Sequence, residues 1–551
     1  MKTSQLQPYD PIRLEVFKHM FASVAEEMGV ILRKTSYSPN IKERRDFSCA
    51  LFNPHGDMVS QAAHVPVHLG SMPLSVAAAI DRFGGMDHKN KDPNCRLQPG
   101  DAILLNDPFQ GGTHLPDITL VTPIFRQSGA GGRKSPQLVG FAANRAHHAD
   151  VGGMVAGSMP IAREIFQEGL IIPPIKLFNR GNLNQDVMDL LLANVRTPVE
   201  RAGDIWAQVA ANQRGVIRLL ELIGRYGLRD VTYYMGALLA YTEKMTRNLL
   251  VSIPDGTYGF TDYLDNDGIS DEPVKITVSV TIEQDTAVVD FTGSADQQQG
   301  SVNAVYAITL SAVYYVFRCL LGLDVPNNSG TMMPIKVIAP KGSVVNALPP
   351  SAVAGGNVET SQRIVDVMLG ALAEALPGLV PAASQGTMNN VTIGGLTQGG
   401  EPFAYYETIG GGMGARPWKD GPSSIHSHMT NTLNTPIEAL EYAYPLRILR
   451  YEIRRGSGGE GYYRGGDGIQ RDIQVLVDVQ SNLITERRKR PPYGLAGGGS
   501  GMRGENHIVK NGERIKISGK GTNYLNSGDI LSICTPGGGG YGNPEERESM
   551  E

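Results

Sequence analysis

Residues 101–153 read DAILLNDPFQGGTHLPDITLVTPIFRQSGAGGRKSPQLVGFAANRAHHADVGG. Three apolar, β-prone runs, DAILL, ITLVTPIF and LVGFAANRA, are separated by residues that favour turns: Asn106-Asp107-Pro108, Gly111-Gly112 and, after the last run, Gly152-Gly153. Short apolar runs punctuated in this way predict strands. THLPD stands before the second run and HHAD after the third, so at least two strand ends carry imidazole and carboxylate groups. The stretch therefore predicts a central β region that bears chemistry, with the rest of the chain organised around it.

Pro116 rules out a regular helix through His114–Asp117, so these two side chains converge through a tight loop. If residues 144–150 are extended, Asn144, Ala146, His148 and Asp150 share one face and Ala143, Arg145, His147 and Ala149 the other. One histidine then faces the site. His148 is preferred because Asp150 accompanies it, as ligand or as the acceptor that orients the ring; His147 is the alternative. Two imidazoles and one carboxylate leave coordination positions open, so His114, Asp117 and His148 predict a catalytic divalent metal site that suits manganese, zinc or iron. The competing reading is a set of polar residues satisfied in loops, and the pairing of H-x-x-D with H-x-D at a second strand end favours the metal. Upstream, Asp46, His64 and His68 are further candidate ligands, although Glu43–Asp46 reads slightly better as an exposed charge cluster. Asp150 and Asp46 are the candidate general bases.

At 551 residues the chain exceeds a single ordinary domain, and 41% hydrophobic with 19% charged residues is the composition of a globular protein. A net charge of -5 argues against a nucleic-acid or membrane-surface partner. The run Glu486–Arg490 reads as a solvated or interface loop. Four cysteines, Cys49, Cys95, Cys319 and Cys534, are far apart and fit a reducing cytoplasm. The N-terminus MKTSQLQPYD reads as too polar for a signal peptide, and ITLSAVYYVFRCLLGLDV, interrupted by Arg318, predicts a buried helix rather than a membrane span.

The fold class expected is α+β: a large multi-lobed mixed fold with the metal-bearing β region at its centre and a β-rich, Gly-punctuated C-terminal lobe. Residues 1–230 form the expected metal-binding lobe, opened by an amphipathic helix over 11–33. Period-two alternation marks a β-rich unit over 231–300. Residues 301–450 form a mixed lobe with helices over 304–323 and 360–376, where NVETSQ supplies candidate caps, and with polar loops that hold His426 and His428. Residues 451–551 complete the chain. GSGGEG (456–461) matches G-x-G-x-x-G but precedes a β run, which disfavours a dinucleotide fold, and neither a P-loop nor G-x-S-x-G occurs.

The motifs ERRDFSCALF, NDPFQGGTHLPD, RAHHADVGG, GGNVETSQRIVD, ETIGGGMGA, HMTNTLNTPIEALE, RRGSGGEGYYRGGDGI, RRKRPPYGLAGG and PGGGGYGNP follow one another in the order shown by the hydantoinase B/oxoprolinase family, which the chain resembles over nearly its whole length. The resemblance implies the B-type catalytic subunit of an ATP-dependent hydrolase of cyclic amides such as hydantoin, 5-oxoproline or a lactam. It places the metal on H-L-P-D and H-H-x-D, here His114, Asp117 and His148. It also implies a separate A-type subunit with a kinase-like fold that binds ATP and phosphorylates the substrate oxygen, in a hetero-oligomer with two copies of each chain. Ketone carboxylases of the acetone and acetophenone type share these motifs and supply the alternative function.

Overall fold

The computed structural model of the chain describes residues 9–62, 65–84, 96–128, 135–322 and 324–548. His64 and Cys95 lie outside the described residues. The first helix, Pro11–Thr35, is capped by the Asp10 carboxylate, which accepts from the backbone N–H of Ile12 at 2.9 Å. Leu14, Phe17, Phe21, Val24, Met28 and Leu32 recur at three- and four-residue steps and are buried. They pack against the helix Pro198–Tyr226 and the first sheet, and Phe17 stacks on Tyr234 at 4.4 Å.

That sheet contains β1 (Phe47–Phe52), β2 (Met58–Gln61), β3 (Ala102–Leu105), β4 (Asp117–Ser128), β5 (Ser135–His147), β6 (Ile175–Asn179) and β7 (Asn182–Leu183). The order is β2-β1-β5-β4-β3-β6-β7, and every pairing is antiparallel. From Val139 to His147 every residue of β5 is buried, so both faces of the sheet are covered. Ala142 and Ala146 face the core shared with Pro11–Thr35 and Pro198–Tyr226. Phe141 and Ala143 face a second core built with the helix Met72–Phe83 and with Tyr314.

The next sheet is a meander of Gly256–Leu264, Val274–Glu283 and Thr286–Asp290, to which Ile335–Ile338 adds in parallel. Val274, Ile276, Val278, Val280 and Ile282 are buried while their neighbours are not, the period-two signature of a half-covered sheet, and the helix Ser361–Ala375 lies on that face. The expected boundary at residue 230 meets the helix Leu228–Ser252, whose Val231, Tyr234, Met235 and Leu238 pack with the N-terminal helices. The apolar stretch around Arg318 is the helix Tyr306–Leu320, buried on most sides. Among the described residues no helix is long and apolar enough to cross a membrane.

Two further sheets pack face to face around Ile393, Tyr405, Ile469, Ile473, Leu483 and Leu531. One joins Pro402–Glu407, Asn390–Leu396, Val479–Ile484 and Lys520–Leu525; the other joins Leu446–Arg454, Gly468–Val475, Ile530–Cys534, Glu505–Lys510 and Glu513–Ile517. Strands from 390–407 are thus integral to the C-terminal sheets. Beside them, extended glycine segments around 410–415, 457–466, 492–501 and 536–542 bond to one another through the backbone: Gly459 N–H donates to Gly538 at 2.8 Å, Gly538 to Gly466 at 2.9 Å and Gly540 to Gly499 at 2.8 Å. GSGGEG belongs to this layer and not to any nucleotide turn.

The basic run is not a solvated loop throughout. Arg487 is buried and pairs with Asp262 at 2.7 Å and with Asp366, whereas Lys489 stays exposed. Charges from distant parts of the chain compensate it, which local composition does not reveal.

Candidate functional site

β4 begins at Asp117 and β5 ends at His147, and the two residues are partners in the antiparallel register. The turn before β4 carries His114 over the same point, with the Asp117 N–H donating to the His114 carbonyl at 3.1 Å. His114 Nε2 lies 3.0 Å from Asp117 Oδ1 and 3.2 Å from His147 Nδ1, and His147 Nδ1 lies 3.1 Å from Asp117 Oδ1. All three residues are buried.

This triangle has a chemical meaning. A carboxylate oxygen only accepts, and each ring nitrogen carries either one proton or one lone pair, so protons alone cannot satisfy all three contacts. Donor atoms about 2.0–2.2 Å from one ion stand roughly 3.0–3.5 Å from each other, which is the spacing found here. Within the described residues, His114, Asp117 and His147 are the group of side chains able to hold a metal ion. Asp117 and His147 border a cavity of about 20 Å³, enough for one water-sized group, which is also lined by Asp46, His68, Asn357 and Tyr406.

The surroundings fix each member. The other oxygen of Asp117 accepts from Thr113 Oγ1 at 2.8 Å and meets His68 Nε2 at 3.3 Å, while His68 Nδ1 bonds Ser48 at 2.9 Å. Burial pushes the Asp117 carboxyl up, but the adjacent His114 and the hydrogen bonds of His114, His147 and His68 outweigh it and hold the group well below the usual carboxylate range. Burial lowers His147 and His68, keeping both rings neutral and able to ligate. The His147 ring stacks on Tyr406 at 4.1 Å, and the Arg44 guanidinium lies 5.1 Å from the Tyr406 ring. Arg44 is buried, bonding Asn40, the Tyr406 carbonyl at 3.2 Å and Thr408 at 2.7 Å. Asp46 is buried beside it, 4.0 Å away, and burial raises its carboxyl. Residues 43–46 are therefore not an exposed charge cluster, because Arg44 and Asp46 turn inward to the site.

Two expected site residues need correction. His148 points to the opposite face of the sheet, where Nε2 bonds Gln208 of the helix Pro198–Tyr226 at 3.0 Å, and burial lowers the ring to about 4. It shares that face with Asn144, whose amide donates to the Gln208 carbonyl and to Asn212, both at 2.8 Å. The polar row read as the site is instead the seat of a helix, and His147 joins His114 and Asp117. Asp150 is engaged elsewhere as well: its oxygens accept from Arg196 Nη1 and from the Arg196 N–H, both at 2.8 Å, which ties down the loop after β5. His428 is buried and His426 half-buried, and neither joins the cluster.

Sequence reasoning missed Asn357. It sits on a single π-helical turn, Gly356–Thr360, at the head of the helix Ser361–Ala375, and its Nδ2 lies 3.2 Å from His114 Nε2. Read locally, NVETSQ resembles a helix cap. A β-carbon on Gly356 would stand 1.9 Å from the Asn303 carbonyl oxygen, and this close approach of glycine was the available signal.

A model of the hydantoinase B/oxoprolinase family matches residues 10–544. The chain is 34% identical over 563 residues to a Pseudomonas protein named as the B component of a D-/L-hydantoinase, covering 99% of this chain and 92% of that one. It is 40% identical to 5-oxoprolinase 1 of Arabidopsis thaliana over 97% of its own length but spans only 42% of the plant protein. Among solved structures, the ATP-dependent caprolactamase from Pseudomonas jessenii superposes with a TM-score of 0.89 at 28% identity, over 98% of this chain and 92% of that one. An acetone carboxylase in its nucleotide-free form shares the fold, with a TM-score of 0.89 at 20% identity over 100% of this chain and 78% of that one. With the family model spanning nearly the whole chain and the Pseudomonas hydantoinase component matched over almost its full length, the chain belongs to the hydantoinase B/oxoprolinase family.

Proposed function

We propose that this chain is the metal-dependent B-type subunit of a cytoplasmic, ATP-dependent cyclic-amide hydrolase. It opens a hydantoin, 5-oxoproline or lactam ring after a partner A-type, kinase-like subunit has bound ATP and phosphorylated the substrate oxygen, in an assembly with two copies of each chain. The observation that carries the reading is the triangle of His114 Nε2, Asp117 Oδ1 and His147 Nδ1, each 3.0–3.2 Å from the others beside a buried cavity. An unactivated cyclic amide is a poor electrophile; phosphorylating its oxygen lets water add to the ring carbon, the ring C–N bond then breaks as nitrogen takes up a proton, and hydrolysis of the acyl phosphate so formed releases phosphate and the carboxylate. His114, Asp117 and His147 would hold a divalent manganese, zinc or iron ion, which would supply acidity to water and positive charge to the oxygen that becomes negative.

The chain's own residues do the rest. Thr113 and His68 hold Asp117 in place, and Tyr406 fixes the plane of His147. Asp46, raised by burial and lining the same cavity, accepts the proton from the attacking water. The likeness to a protein named as one component of a hydantoinase supports the division of labour. The test compares the chain alone with the chain plus its A-type partner. The expected outcome is no turnover alone and, with the partner, ring opening in bicarbonate-free buffer with solvent ¹⁸O entering the new carboxylate or the phosphate. Robust ATP-dependent turnover by the single chain would refute the split function. Bicarbonate-dependent carboxylation of a ketone, without ring opening, would move the chain to the carboxylase reading.

A further inference from the structure

We infer that Asn357 is a ligand-contacting residue of the metal centre: its side-chain amide donates to an oxygen of whatever small anion or substrate group completes the coordination of a bound metal. The inference rests on the metal reading proposed for His114, Asp117 and His147. Asn357 Nδ2 lies 3.2 Å from His114 Nε2, two residues 243 positions apart in the chain. An amide N–H can donate to that nitrogen only through the ring lone pair, and a metal on Nε2 takes the same lone pair. The two states exclude each other.

When the lone pair is committed, the amide cannot retreat to solvent. Asn357 is only 4% exposed, and its Oδ1 already has no hydrogen-bond partner. The side chain projects from the π-turn into the small cavity that Asp46, His68, Asp117 and His147 also line. The turn is held down by the Ser361 hydroxyl donating to the Asn357 carbonyl at 2.7 Å and by the packing of Gly356 against Asn303. A buried donor that loses its acceptor needs another. The cavity offers room for one small group beside Asp117 and His147, so that group, an anionic oxygen of carboxylate-like chemistry, is the acceptor the amide meets. A donor already aimed at this point would also favour an oxygen on which negative charge develops.

Formate is the smallest carboxylate and can present a single oxygen to the cavity, and cobalt(II) makes the centre visible. The chain, its Asn357→Ala variant and its Asn357→Leu variant are loaded with cobalt(II), cobalt affinity is measured by competition with a chelator, and formate binding is read from the visible spectrum. Both variants are expected to hold cobalt within about threefold of the unaltered chain and to bind formate about tenfold more weakly or worse. Asn357→Leu refills the volume of the amide, so a folding failure confined to the alanine variant leaves the test intact. Formate affinity within about twofold of the unaltered chain in a folded variant overturns the inference. So does a parallel fall in cobalt affinity, which would make Asn357 merely a prop for His114. A chain that takes up no cobalt at all removes the metal reading and this inference with it, whereas the other two outcomes remove this inference alone.

Discussion

Asp117 holds four partners with two oxygens: His114 and His147 on Oδ1, Thr113 and His68 on Oδ2. The site is built around it. H-x-x-D already marked His114 and Asp117, because a proline after the histidine forces a turn. The histidine from the second strand could not be chosen in the same way. Alternation assigns His147 and His148 to opposite faces, but both faces of β5 are buried, so polarity gives no sign of which face holds the site. Asp150 was a misleading companion because its real partner, Arg196, lies 46 residues further on. His147→Ala is expected to abolish stoichiometric metal binding, exceeding the roughly 10–100-fold loss typical of an outer partner. His148→Ala should retain the metal and cost about 1 kcal/mol of stability through the lost Gln208 bond. Elemental analysis and thermal melts on the two variants decide it; metal lost from the second and kept by the first would reverse the assignment.

At the level of elements, the helices and the meander follow from periodicity, because apolar residues repeat at 3.6 or 2 residues wherever one face is covered. The glycine segments are different. Their abundance announced turns, yet they form a layer of extended backbone in which chains approach too closely for any side chain. A β-carbon on Gly538 would stand 2.1 Å from the Met413 carbonyl oxygen, and one on Gly465 would stand 1.9 Å from that of Gly538. Gly521, in the strand Lys520–Leu525, has open space where its β-carbon would go. Gly538→Ala is therefore expected to destabilise by more than about 3 kcal/mol or to prevent folding, as overpacking against rigid backbone does, while Gly521→Ala changes stability by less than about 1 kcal/mol. Urea denaturation of the pair checks this, and equal tolerance of both would show that the layer can part.

Over the whole molecule, buried charge links units that hydrophobic pattern treats as separate. Arg363 on the helix Ser361–Ala375 pairs with Asp262 of the meander at 2.8 Å and with Glu486, just beyond the strand Val479–Ile484, at 3.3 Å; Arg487 adds Asp262 and Asp366. Burial would push Asp262 up, but the charges of Arg363 and Arg487 hold it well below the usual carboxylate range. Its contribution is thus present above the ordinary carboxylate value of about 4 and is lost as pH falls through the lowered one. Arg363→Met leaves Asp262, Asp366 and Glu486 short of a cation in a buried place, and is expected to cost about 3–5 kcal/mol, seen as a lower urea midpoint at neutral pH. A loss below about 1 kcal/mol would mean that Arg487, together with Lys520, whose ammonium pairs with Glu486, carries the cluster without it.

Local information settled the strand-turn-strand frame at 101–153, the helices expected over 11–33 and 304–323, the turn that presents His114 and Asp117, and a family that the ordered motifs identify. Each depends on neighbours within a few residues. Three matters lay beyond that reach: His147 rather than His148, Asn357 in the cavity rather than at a helix cap, and Arg44, Asp46 and Arg487 buried rather than solvated. Each turns on a partner far along the chain, as with Asn357 and His114, or Arg487 and Asp262 at a separation of 225 residues. A side chain's face, charge and burial are set by what covers it, and the covering elements come together only when the chain folds.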